Sequence, residues 1–151
     1  LILEVSVTKV DDVKAKVQRM LTNHFGSVRI DKDGDFVVTN QSAVVFVGVK
    51  LWGDEDVIVS LRCPLVMDVE LTDALCRWVA IEGQDFVLGS CSINPDSEGK
   101  TGWIYFRNNI VGNDLDESEL LESLAAVAIL GNQLDDDLHQ KFGGKMFGSN
   151  G

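Results

Sequence analysis

The sequence predicts an α+β domain: an antiparallel β-sheet with helices packed on one face, in the order α-β-β-β-α-β-β-α. Two observations point there. Apolar residues recur at three- and four-residue steps at the start, middle and end of the chain, whereas the stretches between are β-branched runs of period two. Those runs are separated by short Gly- and Asp-bearing turns, the signature of hairpins. With 151 residues, 45% hydrophobic and 25% charged, the chain can bury a sizeable core and has an ordinary soluble globular composition. One domain is expected over residues 1–144, followed by a flexible C-terminal tail over 145–151.

The elements follow in order. In "TKVDDVKAKVQRMLTNHFG", Val10, Val13, Val17, Met20, Leu21 and His24 line one helical face, with Thr8 as cap and Gly26 as stop. The runs "SVRI" and "DFVVT" flank Lys32, Asp33 and Gly34 as a hairpin. A second hairpin joins "AVVFVGVKL" to "DVIVSLRC" across "WGDE", so the first β region counts three strands, or four if both hairpins close fully. Pro64 lacks an N–H and marks the end of pairing or an edge. A short helix fits "LTDALCRWVAIEG", capped by Thr72 and stopped by Gly83. "DFVLGSCSI" and "GWIYFRNNI" then pair across the turn-rich "NPDSEGKT". The last helix opens at Asp116 and Glu119, a capping-box spacing, and runs to Phe142.

Several apparent chemical motifs fail on inspection. In "VRIDKDGDFVV" the alternate aspartates Asp31, Asp33 and Asp35 suggest a calcium loop. With Asp31 in first place, however, the obligatory glycine position holds Phe36 and the twelfth holds Ser42. With Gly34 at the glycine position, the first ligand would be Arg29. A phosphate-binding loop ending in Gly99, Lys100 and Thr101 would need glycine at position 94, which is Asn94, and a helix after it where a strand follows. His24 and His139 have no second ligand in register. The run Asp135–Asp137 steps around a helix by about 100° per residue and reads as a solvated face. No catalytic constellation, metal site or cofactor motif remains.

Composition narrows the partners. Lys and Arg total 13 against 24 Asp and Glu, a net charge of −11 that repels phosphate backbones and argues against nucleic acid. No stretch reaches the about 18 apolar residues of a membrane helix, and "LILEVSVTKV" lacks the basic flank of a signal peptide. Cys63, Cys76 and Cys91 show no C-x-x-C spacing and read as buried, reduced thiols, which suits a cytoplasmic protein.

Strand parity is more informative. Ala43, Val45, Val47, Val49 and Leu51 suit the core face, as do Val57, Val59, Leu61 and Cys63. The opposite face then carries Val44, Phe46, Ile58, Trp103 and Tyr105, beside Ser60, Arg62 and Arg107. Either loops or a second subunit cover these five apolar residues, or they form a partner-binding site for a protein or peptide. Two other readings stay open: a small-ligand sensor or enzyme with a pocket between sheet and helices, and a dimerisation unit built on the last helix.

The pieces "DKDGDFVV", "RCPLVMDVELTDALCRWV" and "DESELLESLAAVAILGNQLDDDLHQKFGG", in that order over residues 8–144, resemble the bacterial YbjN-like domain, also described as type III secretion chaperone-like. The likeness is to actinobacterial members, and "FGG" after "DDDL" is similar to the family's closing phrase. Ala43–Leu51 departs from it in being more continuously apolar than a half-exposed strand. The resemblance implies a non-enzymatic domain. Type III secretion chaperones are acidic, cytoplasmic dimers that hold extended segments of a secreted partner. No functional residue carries over from them.

Overall fold

The computed structural model describes residues 2–148, with side chains from residue 9 onward. Helix α1 (Ile2–Phe25) starts six residues before the expected cap, so Thr8 lies inside it. Nothing in residues 2–8 breaks a helix: no Gly or Pro interrupts them. Then come β1 (Arg29–Ile30), β2 (Phe36–Asn40), β3 (Ala43–Trp52), β4 (Asp56–Glu70) and α2 (Asp73–Ile81). A 3-10 turn leads to β5 (Ser90–Pro95), β6 (Thr101–Val111), α3 (Glu117–Phe142) and β7 (Lys145–Met146). The described residues thus form three α-helices and a seven-stranded sheet whose pairs are all antiparallel, ordered β1-β2-β3-β4-β6-β5, with β7 also on β4. The expected α+β class holds; the first β region has four strands, and β7 is an addition.

Local chemistry sets the boundaries. The Thr72 side chain accepts from the Leu75 N–H, and Asp116 forms the full capping box with Glu119. The "DKDGD" tip is an Asp-organised turn: the Asp31 carboxylate accepts from the N–H groups of Asp33 and Asp35, both at 2.9 Å. These bonds, that from Asp35 foremost, hold the Asp31 carboxyl below its ordinary range. The expected strand over residues 85–93 is shorter. Phe86 packs edge-on to Phe106 at 5.2 Å, whereas Val87 and Leu88 project into solvent and Gly89 turns with φ +82°. A side chain at Gly89 would sit 2.5 Å from the Arg107 carbonyl, so the chain can enter β5 there only as glycine.

One face of the sheet is closed. Val45, Val47, Val57, Val59, Leu61, Cys63, Ile104 and Phe106 are all fully buried. Val13, Val17 and Leu21 of α1, Leu75 and Val79 of α2, and Leu120, Leu124, Val127 and Leu138 of α3 belong to the same core. α3 approaches β4 closely because Gly131 faces Cys63: a Cβ there would lie 2.5 Å from the Cys63 Sγ. Burial, and after it the charge of Asp135, pushes the Cys63 thiol up to about 12, and burial does the same to Cys91. Cys76, expected inside, is exposed on α2; all three thiols are free.

The acidic run of α3 also needs correction. Asp136 and Asp137 are solvated, but Asp135 is only 5% exposed. Its carboxylate accepts from the Ser42 hydroxyl at 2.8 Å. One turn earlier, the Asn132 side-chain oxygen lies 2.8 Å from Ser42 Oγ, whose single proton it shares with Asp135, and accepts from the Ala43 N–H at 2.8 Å, while its amide donates to the Asn40 carbonyl at 3.0 Å. α3 therefore clamps the β2–β3 turn with polar side chains, satisfying backbone groups that the turn leaves unpaired.

Candidate functional site

The other face of the sheet carries the alternate side chains of the strands. Val44, Phe46, Ile58, Trp103 and Tyr105 are all half-buried there, as parity predicts. Four of them share the end of the sheet where β7 lies. Trp103 stacks on Tyr105 with ring centres 5.9 Å apart and planes inclined by 23°, a tilted stack along one strand. Phe46 faces them from β3, and Val44 follows it two residues away, opposite Thr39 of β2. The link between strands is Phe147, whose ring stands edge-on to Phe46 at 5.8 Å and to Trp103 at 6.2 Å.

Ile58 is elsewhere. Its neighbours are Lys50 of β3 and Val111 of β6, and with the largely exposed Trp52 and Val111 it edges a separate apolar hollow. Four residue steps along β4, about 13 Å of extended chain, separate it from Arg62. The five expected residues are thus one cluster of four and one outlier.

A charged band divides the two apolar ends. Arg62 and Arg107 stand directly opposite each other on β4 and β6. Asp35 reaches over from the β1–β2 tip and pairs with Arg62. Gly48 makes that reach possible, since a Cβ on it would come within 2.9 Å of Asp35 Oδ1. Arg107 instead lays its guanidinium 5.0 Å from the centre of the Tyr105 ring, a cation–π contact. Burial raises the Tyr105 hydroxyl above its usual value, and the charges of Arg107 and Arg62 offset part of that. Beyond Trp103 the surface turns acidic, with Asp68 and Asp96 beside Asn94, Thr101 and Tyr105 around a concavity of about 330 Å³.

The central strand β4 contains Pro64, which a fully paired strand would reject. The N–H of Val57 donates to Asn113 and its carbonyl accepts from Gly112, so odd residues of β4 point their backbone groups toward β6 and even ones toward β3. Pro64 therefore faces the β3 side, and β3 pairs with β4 only from Asp56 to Arg62. From there β7 takes over, with Val66 opposite Met146 and Met67 opposite Lys145. The expected flexible tail thus begins as a strand. Gly143 and Gly144, with φ of +80° and +82°, turn the chain from α3 onto the sheet edge, and a Cβ on Gly144 would strike the Met67 carbonyl at 2.8 Å.

Apolar side chains fill the space between sheet and helices, and the concavities open on the surface. Strand parity places Arg62 and Arg107 on this face but does not mark them as part of the site. Phe147 escaped because an isolated aromatic among glycines carries no periodic signal.

No curated protein sequence matches the chain. Among solved structures, it is similar to the Yersinia pestis type III secretion chaperone SycH, crystallised in complex with a stable fragment of YscM2. Identity is 13% and the TM-score 0.49, over 80% of this chain and 98% of that one. The family described as "T3SS (YopN, CesT) and YbjN peptide-binding chaperone 1" matches residues 11–150. The chain belongs to this family of peptide-binding chaperones.

Proposed function

We propose that the open face of the sheet is where this chaperone holds its client, as an extended segment laid across Trp103, Tyr105, Phe46 and Val44. The observation that carries this reading is the half-exposed aromatic cluster itself: the helices pack on the opposite face, and over these rings the tail lays Phe147. Aromatic rings offer large contact area at low entropic cost, which suits capture of an apolar residue from a flexible chain. The Arg62–Arg107 band gives such a segment a place for a carboxylate, and Ile58 with Trp52 and Val111 offers a second apolar foothold for a longer client. This is a binding role with no catalytic step, exercised in the cytoplasm on a protein or peptide. No described helix is long and apolar enough to cross a membrane.

The test is direct binding of a panel of extended apolar peptides, followed by fluorescence anisotropy. Trp103→Ala and Phe46→Asp should each weaken binding about tenfold or more, as truncation of a buried aromatic anchor does, while thermal unfolding stays cooperative. Variants that keep full affinity would place the site elsewhere. A second reading, homodimerisation, is favoured by the exposed Ile81, Val87 and Leu88 beside the edge strand β5. Light scattering that shows a monomer at all concentrations would remove it.

A further inference from the structure

We propose that the edge of β4 next to Pro64 is a strand-acceptor slot which the chain fills with its own residues 145–147, and that a client enters by displacing them with a segment carrying a cation and, two residues on, an aromatic ring. This rests on the open face being the client site. β4 runs for 15 residues and pairs with β6 along most of its length, yet β3 leaves it after Arg62. The other edge beyond that point would expose backbone groups that need partners. The tail supplies them through only two residue pairs, against seven for β3 on the same strand. The charge at its start adds little. The Lys145–Asp68 ion pair spans 3.3 Å with both side chains more than half exposed, and such pairs contribute little.

Phe147 completes the device by lying over Phe46 and Trp103, two rings of the proposed client site. Strand and ring therefore leave together, hinged on Gly143 and Gly144. What the slot accepts is written in its present occupant: an antiparallel strand, a cation against Asp68 and an aromatic ring two residues later. Addition of such a strand is a recurrent mode of peptide recognition, with main-chain bonds supplying affinity and side-chain pockets specificity. While the tail is seated, the apparent affinity for a client is the intrinsic affinity multiplied by the fraction of molecules whose slot is empty.

The experiment uses the full chain and a fluorescein-labelled peptide of the tail's own sequence, Gly-Gly-Lys-Met-Phe-Gly-Ser. A Met146→Pro, Phe147→Ala double variant unseats the tail without touching the core. It should bind the peptide at least about tenfold tighter than the wild type, as release of a self-occupied site requires. Adding Trp103→Ala should abolish that gain. Equal affinity of wild type and double variant overturns the proposal, as does a gain that survives Trp103→Ala. The single variant Phe147→Ala, which leaves strand pairing intact, should give part of the gain. The outer-face reading fails separately: it stands if apolar peptides still bind through Trp103 while unseating the tail changes nothing, and it falls if no peptide depends on Trp103.

Discussion

The two faces of this sheet are made from the same strands, residue by alternate residue, and they obey different rules. On the helix side, Ile104 and Phe106 are fully buried among side chains from the helices and neighbouring strands. On the other, Trp103, Tyr105 and Arg107 stack one upon the next and remain half-exposed. The first face is held by volume, where a missing methylene leaves a cavity. The second is held by ring stacking and charge, which tolerate movement and can be shared with a partner. A chaperone that must fold rigidly and yet grip varied segments can divide those tasks between odd and even positions of one strand.

Neighbouring residues of β6 make the sharpest test of that division. Phe106→Ala should destabilise the protein by about 3–5 kcal/mol, the usual cost of emptying a buried ring site. Tyr105→Ala, one residue away, should cost at most about 1 kcal/mol, as a half-exposed position does. Urea denaturation of both variants measures this. Comparable losses would mean that the outer face is as tightly packed as the inner one.

A smaller effect is expected where polar groups stand in for packing. Asn132→Ala removes two backbone hydrogen bonds from the β2–β3 turn, to the Ala43 N–H and the Asn40 carbonyl, and leaves the buried Ala43 N–H without its acceptor. The expected loss is about 1–3 kcal/mol, the penalty for an unsatisfied buried donor. Amide exchange at Ala43 should accelerate in the same variant. If exchange there stays slow, β3 holds its end without help from α3.

How much of this was legible in the sequence depended on range. Period-two alternation placed Val45, Val47, Val59 and Leu61 inside and Phe46, Trp103 and Tyr105 outside, because a strand's facing follows from its own residues. The caps at Thr72 and Asp116 were readable for the same local reason. Parity could not tell Ile58 from Phe46, since position along a sheet depends on register with other strands. Asp135 looked like a solvated residue because its partner, Ser42, lies 93 residues away. β7 was hidden most deeply. Two residues have no periodicity, and their strand exists only because β3 departs from β4 at Arg62.

The faintest expected effect concerns the charged band, where the outer face should respond to salt and the inner face should not. Asp35→Asn keeps the shape of the side chain and removes the carboxylate that pairs with Arg62, opposite Arg107. The pair is partly exposed, with side-chain accessibilities of 36% for Arg62 and 19% for Asp35, so its contribution should be only about 0.2–1 kcal/mol at low ionic strength. At about 1 M salt the screening length shrinks to about 3 Å, and wild type and variant should converge. The Phe106→Ala loss should persist undiminished under the same conditions, because burial of a ring involves no charge to screen. An Asp35→Asn variant as stable as the wild type at low salt would show that Asp35 acts by filling the space above Gly48. The outer face would then be held by volume after all, like the inner one.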